Sequence, residues 1–107
     1  MKRGVGYCEN TDCEDYAKGV FLLDVRELSE FHGELGRVPG SVLVPLGELA
    51  AKVGEWERGR PIVTICRSGE RSLSAAHVLR EAGFREVASM RGGMLAWGSA
   101  GLPTTRG

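Results

Sequence analysis

Glutamine is absent from this chain, asparagine occurs once, and lysine appears three times against eleven arginines. An arginine bias of this kind leans toward a thermophilic source in some families. Cysteine is scarce as well. Three residues, an odd count, argue against a disulfide framework and suit a reducing compartment. Net charge is missing altogether: 14 basic side chains balance 14 acidic ones, so no global field recruits nucleic acid or a membrane surface. No apolar run approaches the ~20 residues of a bilayer span, and no secretory apolar segment follows Met1. The expectation is a cytoplasmic protein with neither nucleic acid nor membrane as partner. There is no internal repeat and no low-complexity segment. The 107 residues suffice for one globular domain with a single core and no disulfide support.

What the chain does contain is an alternation. Compact apolar runs at Val20–Val25, Val42–Val44, Ile62–Ile65 and, more weakly, Val87–Met90 lack clean polar alternation, as strands buried on both faces do. Helical patterns lie between them. Leu49, Ala50, Val53 and Trp56 predict one apolar face over Leu46–Glu57. Leu73, Ala75, Ala76, Val78 and Leu79 predict a helix over Ser72–Ala82, with His77 on its polar face and Gly83 as its stop. A last helix is expected over Met94–Ala100. Strands alternating with helices predict an α/β fold in three layers, with a mainly parallel sheet of four to five strands flanked by helices. Ligands of such sheets gather outside the carboxyl ends of the strands.

One stretch stands at such an end: Ile62-Val63-Thr64-Ile65-Cys66-Arg67-Ser68-Gly69-Glu70-Arg71-Ser72. A β-branched strand stops on a cysteine, a polar loop follows, and a helix begins. A cysteine closing a buried strand is commonly a small core hydrophobe. Here the five residues after it are polar or glycine and do not belong to a core. Loop amides turned inward and a helix N-terminus lower a thiol from the ordinary value of about 8.5 and favour the nucleophilic thiolate. The stretch predicts a cysteine enzyme, and its two arginines suit an anionic ligand or a stabilised thiolate.

Four blocks together carry a resemblance. Leu23-Asp24-Val25-Arg26-Glu27, Arg37-Val38-Pro39-Gly40-Ser41, Cys66 to Ser72, and Arg91-Gly92-Gly93-Met94-Leu95-Ala96-Trp97 resemble, in order and spacing, the single-domain rhodaneses. The match runs from about Val20 to Leu102. It implies the rhodanese-like fold and a sulfurtransferase. Cys66 would take a sulfane sulfur from thiosulfate or a persulfide, become a persulfide itself, and pass the sulfur to a thiol or cyanide, with no cofactor. Arg67, Ser68, Gly69, Glu70, Arg71 and Ser72 would form the persulfide cradle, Arg67 and Arg71 drawing in an anionic donor, while Asp24 and Arg26 support it. An ion pair of Arg71 with Asp24 or Glu70 is the structural alternative. Glu70, if turned inward, would repel dianionic thiosulfate. A persulfide-carrier or regulatory module serving a partner, such as a sulfur-relay protein, is the alternative function. A small phosphatase or arsenate reductase fits less well. Those enzymes carry one residue more between cysteine and arginine, and only four separate Cys66 from Arg71 here.

The chain departs from the family in two places. Arg37 stands where the family often has histidine, and neither His32 nor His77 is placed for acid–base work. Residues 1–19 read as a shortened N-terminal extension with one short helix, Thr11 and Glu14 forming its capping box, ahead of a rhodanese-like domain over 20–107. Cys8 and Cys13 have the spacing of half a zinc site without the other half, so no metal is expected. Either thiol could alternatively receive sulfur from Cys66.

Overall fold

The computed structural model describes residues 6–8 and 20–106. Five strands form one sheet: β1 (Gly6–Cys8), β2 (Phe21–Asp24), β3 (Val42–Leu43), β4 (Ile62–Ile65) and β5 (Val87–Met90), in the order β1-β5-β4-β2-β3. Every pairing is parallel. Crossovers between parallel neighbours require intervening segments, and these carry α1 (Leu28–Phe31), α2 (Leu49–Lys52) and α3 (Glu70–Glu81), while α4 (Gly93–Ser99) follows the last strand. Strand β1 was not foreseen. It lies within the residues read as an extension and pairs with β5, whereas the helix expected around Thr11–Glu14 lies outside the described residues.

The two-residue period of the strands divides the core. Phe21, Leu23 and Ile62 point to one side, where Leu49, Ala75, Ala76, Leu79 and Phe84 cover them. Leu22, Val63 and Ile65 point to the other, against Met94 and Trp97. Both faces are therefore dry, which is why β2 and β4 read as unbroken apolar runs. Trp97 is a core residue, and its indole N–H donates to the Pro103 carbonyl at 2.7 Å. Trp56 packs edge-on against Phe21 with ring centroids 5.2 Å apart.

Two expected elements differ. The continuous helix over Leu46–Glu57 is instead a 3-10 turn (Leu46–Glu48), the single turn α2 and a second 3-10 turn (Val53–Glu55). Leu49 is buried but Ala50 is exposed, and Gly47 and Gly54 weaken the helix at either end. Helix α3 starts two residues earlier than the apolar pattern suggests. Gly69 takes φ +110° as its N-cap, reversing the chain so abruptly that Glu70 and Arg71 already lie in the first turn.

Candidate active site

The carboxyl ends of the central strands set the site. Asp24 pairs in register with Ile65, so the residues after β2 and after β4 emerge side by side. Asp24 and Arg26 are both buried and neutralise each other, Nε donating to Oδ1 at 2.9 Å and Nη2 to Oδ2 at 2.8 Å. Arg26 Nη2 also donates to the Gly36 carbonyl at 2.9 Å. A buried pair that is fully hydrogen-bonded is tolerated, whereas removing one partner strands a charge at a cost of about 3–5 kcal/mol. Its service is positional: it ties β2 to the segment that folds over the rim. The C-terminal tail closes the same segment through the reciprocal backbone bonds of Arg37 and Thr105, each 2.9 Å. Arg37 lies over the Phe31 ring at 4.6 Å, with Nη1 3.5 Å from His32 Nδ1.

Cys66 ends buried between β4 and α3. The Gly69 N–H donates to its sulfur at 3.0 Å, and the Ser72 hydroxyl stands 3.5 Å away. Burial alone pushes the thiol up, and it is the largest single influence. The Ser72 hydroxyl and the backbone N–H groups of Ser72, Gly69 and Ser68 together outweigh it, holding the thiol below its ordinary value. The bonds that orient the loop come from elsewhere. The N–H groups of Met94 and Leu95, in the first turn of α4, donate to the carbonyls of Cys66 and Arg67 at 2.8 and 3.0 Å. Holding those carbonyls on the α4 side leaves the loop amides to face the sulfur.

Gly93 makes that approach feasible. With φ +59°, it lies so close to the loop that a side-chain carbon there would collide with the Cys66 carbonyl oxygen and stand 2.6 Å from Arg67 backbone atoms. The Gly92-Gly93 pair is thus the seat on which the cysteine loop rests.

The remaining predicted residues scatter in exposure. Arg67, Ser68 and Glu70 are exposed, and Ser72 is wholly buried. Arg71 pairs with neither Asp24 nor Glu70. Its partner is Glu30, at 2.7 and 2.8 Å through both carboxylate oxygens. Sequence could not have named it, because Glu30 sits 41 residues away on α1 and reaches the loop only through the parallel register of β2 and β4. The guanidinium holds the Glu30 carboxyl down at about 2. His77 is exposed on α3.

Ser89 was also missed. Its hydroxyl is 2.8 Å from that of Ser72, and Thr64 donates to the Ser72 carbonyl at 2.7 Å. Serine in the middle of an otherwise apolar β5 run was the available signal. Cys13 and the Cys8 side chain lie outside the described residues, and among those described no group of three or more His, Cys, Asp or Glu could hold a metal. No helix of the described residues is long and apolar enough to cross a membrane.

A family profile for the Rhodanese-like domain matches residues 9–100. The chain belongs to this family. It is 35% identical over 92 residues to a sulfurtransferase of Allochromatium vinosum, covering 86% of this chain and 80% of that one. It is also similar to a putative sulfur carrier protein, YrkF, of Bacillus subtilis: 37% identical over 83 residues, 78% of this chain but only 44% of the relative. The chain thus spans less than half the length of that relative. Among solved structures, a rhodanese-related protein from Thermoplasma volcanium superposes with a TM-score of 0.85 at 29% identity, covering 94% of this chain and 97% of that one. These likenesses support a sulfurtransferase of rhodanese type.

Proposed function

We propose that the protein moves a sulfane sulfur from thiosulfate or a persulfide donor to a thiol or cyanide through a persulfide on Cys66. The observation that carries this reading is the buried sulfur held 3.0 Å from the Gly69 N–H at the start of α3. A thiolate there attacks the outer sulfur of the donor, whose S–S bond breaks and releases sulfite or a thiolate. The resulting persulfide is again an anion, and the same amides of the Arg67–Ser72 loop suit it without a metal. Arg67 is the side chain best exposed to draw in an anionic donor. Arg71, committed to Glu30, serves to brace the loop, and Asp24 and Arg26 hold the rim beneath it. A covalent intermediate between two half-reactions predicts ping-pong kinetics. A reducing compartment such as the cytoplasm would keep the thiol free.

The test is intact-protein mass spectrometry after incubation with thiosulfate or an inorganic polysulfide, with Cys66→Ser alongside. A gain of one sulfur confined to the wild type is expected. Sulfur gained equally by the Cys66→Ser variant would move the chemistry to Cys8 or Cys13 and overturn the assignment.

A second reading, a carrier that loads sulfur but discharges it only to a partner protein, draws support from the Bacillus relative's name. Rapid multiple turnover with small thiols argues against it.

A further inference from the structure

A cleft of about 260 Å³ opens beside the cysteine loop, lined by Arg26, Glu30, Gly33, Glu34, Leu35 and Arg67. Four of these residues are charged, and two of the four are committed. Arg26 is engaged by Asp24 and the Gly36 carbonyl, and Glu30 by Arg71. Glu34 and Arg67 remain, one of each sign. Both are exposed, and among the described residues neither side chain is engaged in an ion pair or hydrogen bond. Their backbones are nonetheless pinned. Arg106 Nη2 donates to the Glu34 carbonyl at 2.7 Å, and the Leu95 N–H to the Arg67 carbonyl at 3.0 Å. Fixed stems with free, opposite charges face a cleft whose other lining, Gly33 and Leu35, is apolar.

We propose that this cleft receives the zwitterionic end of an α-amino-acid thiol, its carboxylate on Arg67 and its ammonium on Glu34, with its sulfur turned toward Cys66. The inference rests on the sulfurtransferase reading and names the acceptor class for it. A purely anionic ligand meets Arg67 but also the carboxylates of Glu34 and Glu30. A purely cationic one meets the reverse. Only a ligand carrying charges of both signs satisfies both uncommitted groups.

In the transfer, the acceptor thiolate attacks the outer sulfur of the Cys66 persulfide. The Cys66 S–S bond breaks with its electron pair leaving on Sγ, and a new S–S bond forms on the acceptor. One thiolate is consumed and one regenerated, so no oxidant or reductant is required.

The test separates loading from discharge. Cys66 is loaded with inorganic polysulfide, excess donor is removed, and loss of the sulfur is followed by intact mass at one ionic strength. The acceptors are L-cysteine, N-acetylcysteine (no ammonium), cysteamine (no carboxylate) and 2-mercaptoethanol (neither), with rates corrected for each thiolate fraction. Cysteine should discharge the protein about 1.5-fold to fivefold faster than either single-charge analogue, the range set by exposed ionic contacts. Glu34→Gln should erase the advantage over N-acetylcysteine alone, and Arg67→Gln the advantage over cysteamine alone. Equal corrected rates for all four thiols, or variants that slow every acceptor alike, overturn the proposal while leaving the persulfide intact. Failure of Cys66 to load at all overturns the sulfurtransferase reading, and the cleft assignment falls with it.

Discussion

Replacing Ser72 by alanine should raise the Cys66 thiol and cut its thiolate fraction about tenfold, a figure that follows from the donors around the sulfur. Ser72 has one hydroxyl hydrogen and three neighbours: the Gly69 carbonyl at 3.1 Å, Ser89 Oγ at 2.8 Å and Cys66 Sγ at 3.5 Å. When the thiol ionises, that hydrogen turns to the sulfur and Ser89 becomes the donor to Ser72. A hydrogen bond to an ionised group contributes about 1.5–3 kcal/mol, and the long contact here selects the lower end, a factor of about ten in the ionisation equilibrium. The Gly69 N–H at 3.0 Å survives the substitution, so the effect stops there. Below both midpoints the thiolate fraction falls about tenfold, but the more basic thiolate is the better nucleophile, leaving a net loss of about threefold in alkylation rate. The assay is the pH profile of iodoacetamide labelling, read on the Cys66 peptide so that Cys8 and Cys13 do not contribute. Ser89→Ala should shift the midpoint in the same direction but by less, because cooperative polarisation strengthens a hydrogen bond by only about 10–30%. A folded Ser72→Ala protein whose midpoint is unmoved or lowered refutes the assignment of Ser72 as a thiolate donor.

Glu30 carries a different pH dependence. Its folded value of about 2 lies below the ordinary 4.5, so its contribution to stability is complete above the unfolded value and is lost as pH falls toward 2. With the Arg71 side chain 37% exposed, solvent screening limits that contribution to about 1 kcal/mol; Glu30→Gln should flatten the acid limb of denaturant stability over that window, and an unchanged limb would contradict the pair. Gly93→Ala should destabilise the fold by more than about 2 kcal/mol, since it adds strain at φ +59° to a collision with the Cys66–Arg67 backbone. Loss of sulfur loading at temperatures where the variant is still folded would show the loop displaced, and wild-type loading with an unshifted melt would refute the seat. Glu70→Gln, which removes an exposed carboxylate from the first turn of α3, should raise kcat/KM for thiosulfate by about twofold to fivefold, as partly screened like-charge repulsion allows. A monoanionic alkyl persulfide should gain less, and equal gains with both donors would retire the repulsion argument.

What could be read from the chain follows a physical line. Runs such as Phe21–Asp24 and Ile62–Ile65 are buried on both faces, so composition alone marks them as strands of a covered parallel sheet. Cys66 is legible for the same reason: its strand, loop and helix are contiguous, and polarity changes abruptly at Arg67. Features built between distant segments leave at most a faint trace, such as the serine within the apolar β5 run. The Arg71–Glu30 pair, the Ser89 hydroxyl beneath Ser72 and the α4 amides on the Cys66 and Arg67 carbonyls each need the finished register of the sheet. So does β1, three residues long, which pairs with the edge of β5.

The division has a mechanistic counterpart. The nucleophile and the donors that favour its ionisation are local, but the burial that opposes ionisation and the α4 and Ser89 contacts that orient those donors are tertiary. A sequence can retain the cysteine loop intact and lose reactivity through Ser89 or Gly93. Reactivity among chains with the same loop should therefore track the residues packed beneath it rather than the loop itself. Grafting the Cys66–Ser72 loop onto a parallel sheet that lacks the α4 seat should yield a thiol near its ordinary value, because the Cys66 and Arg67 carbonyls would be free to turn toward the sulfur and displace the amides.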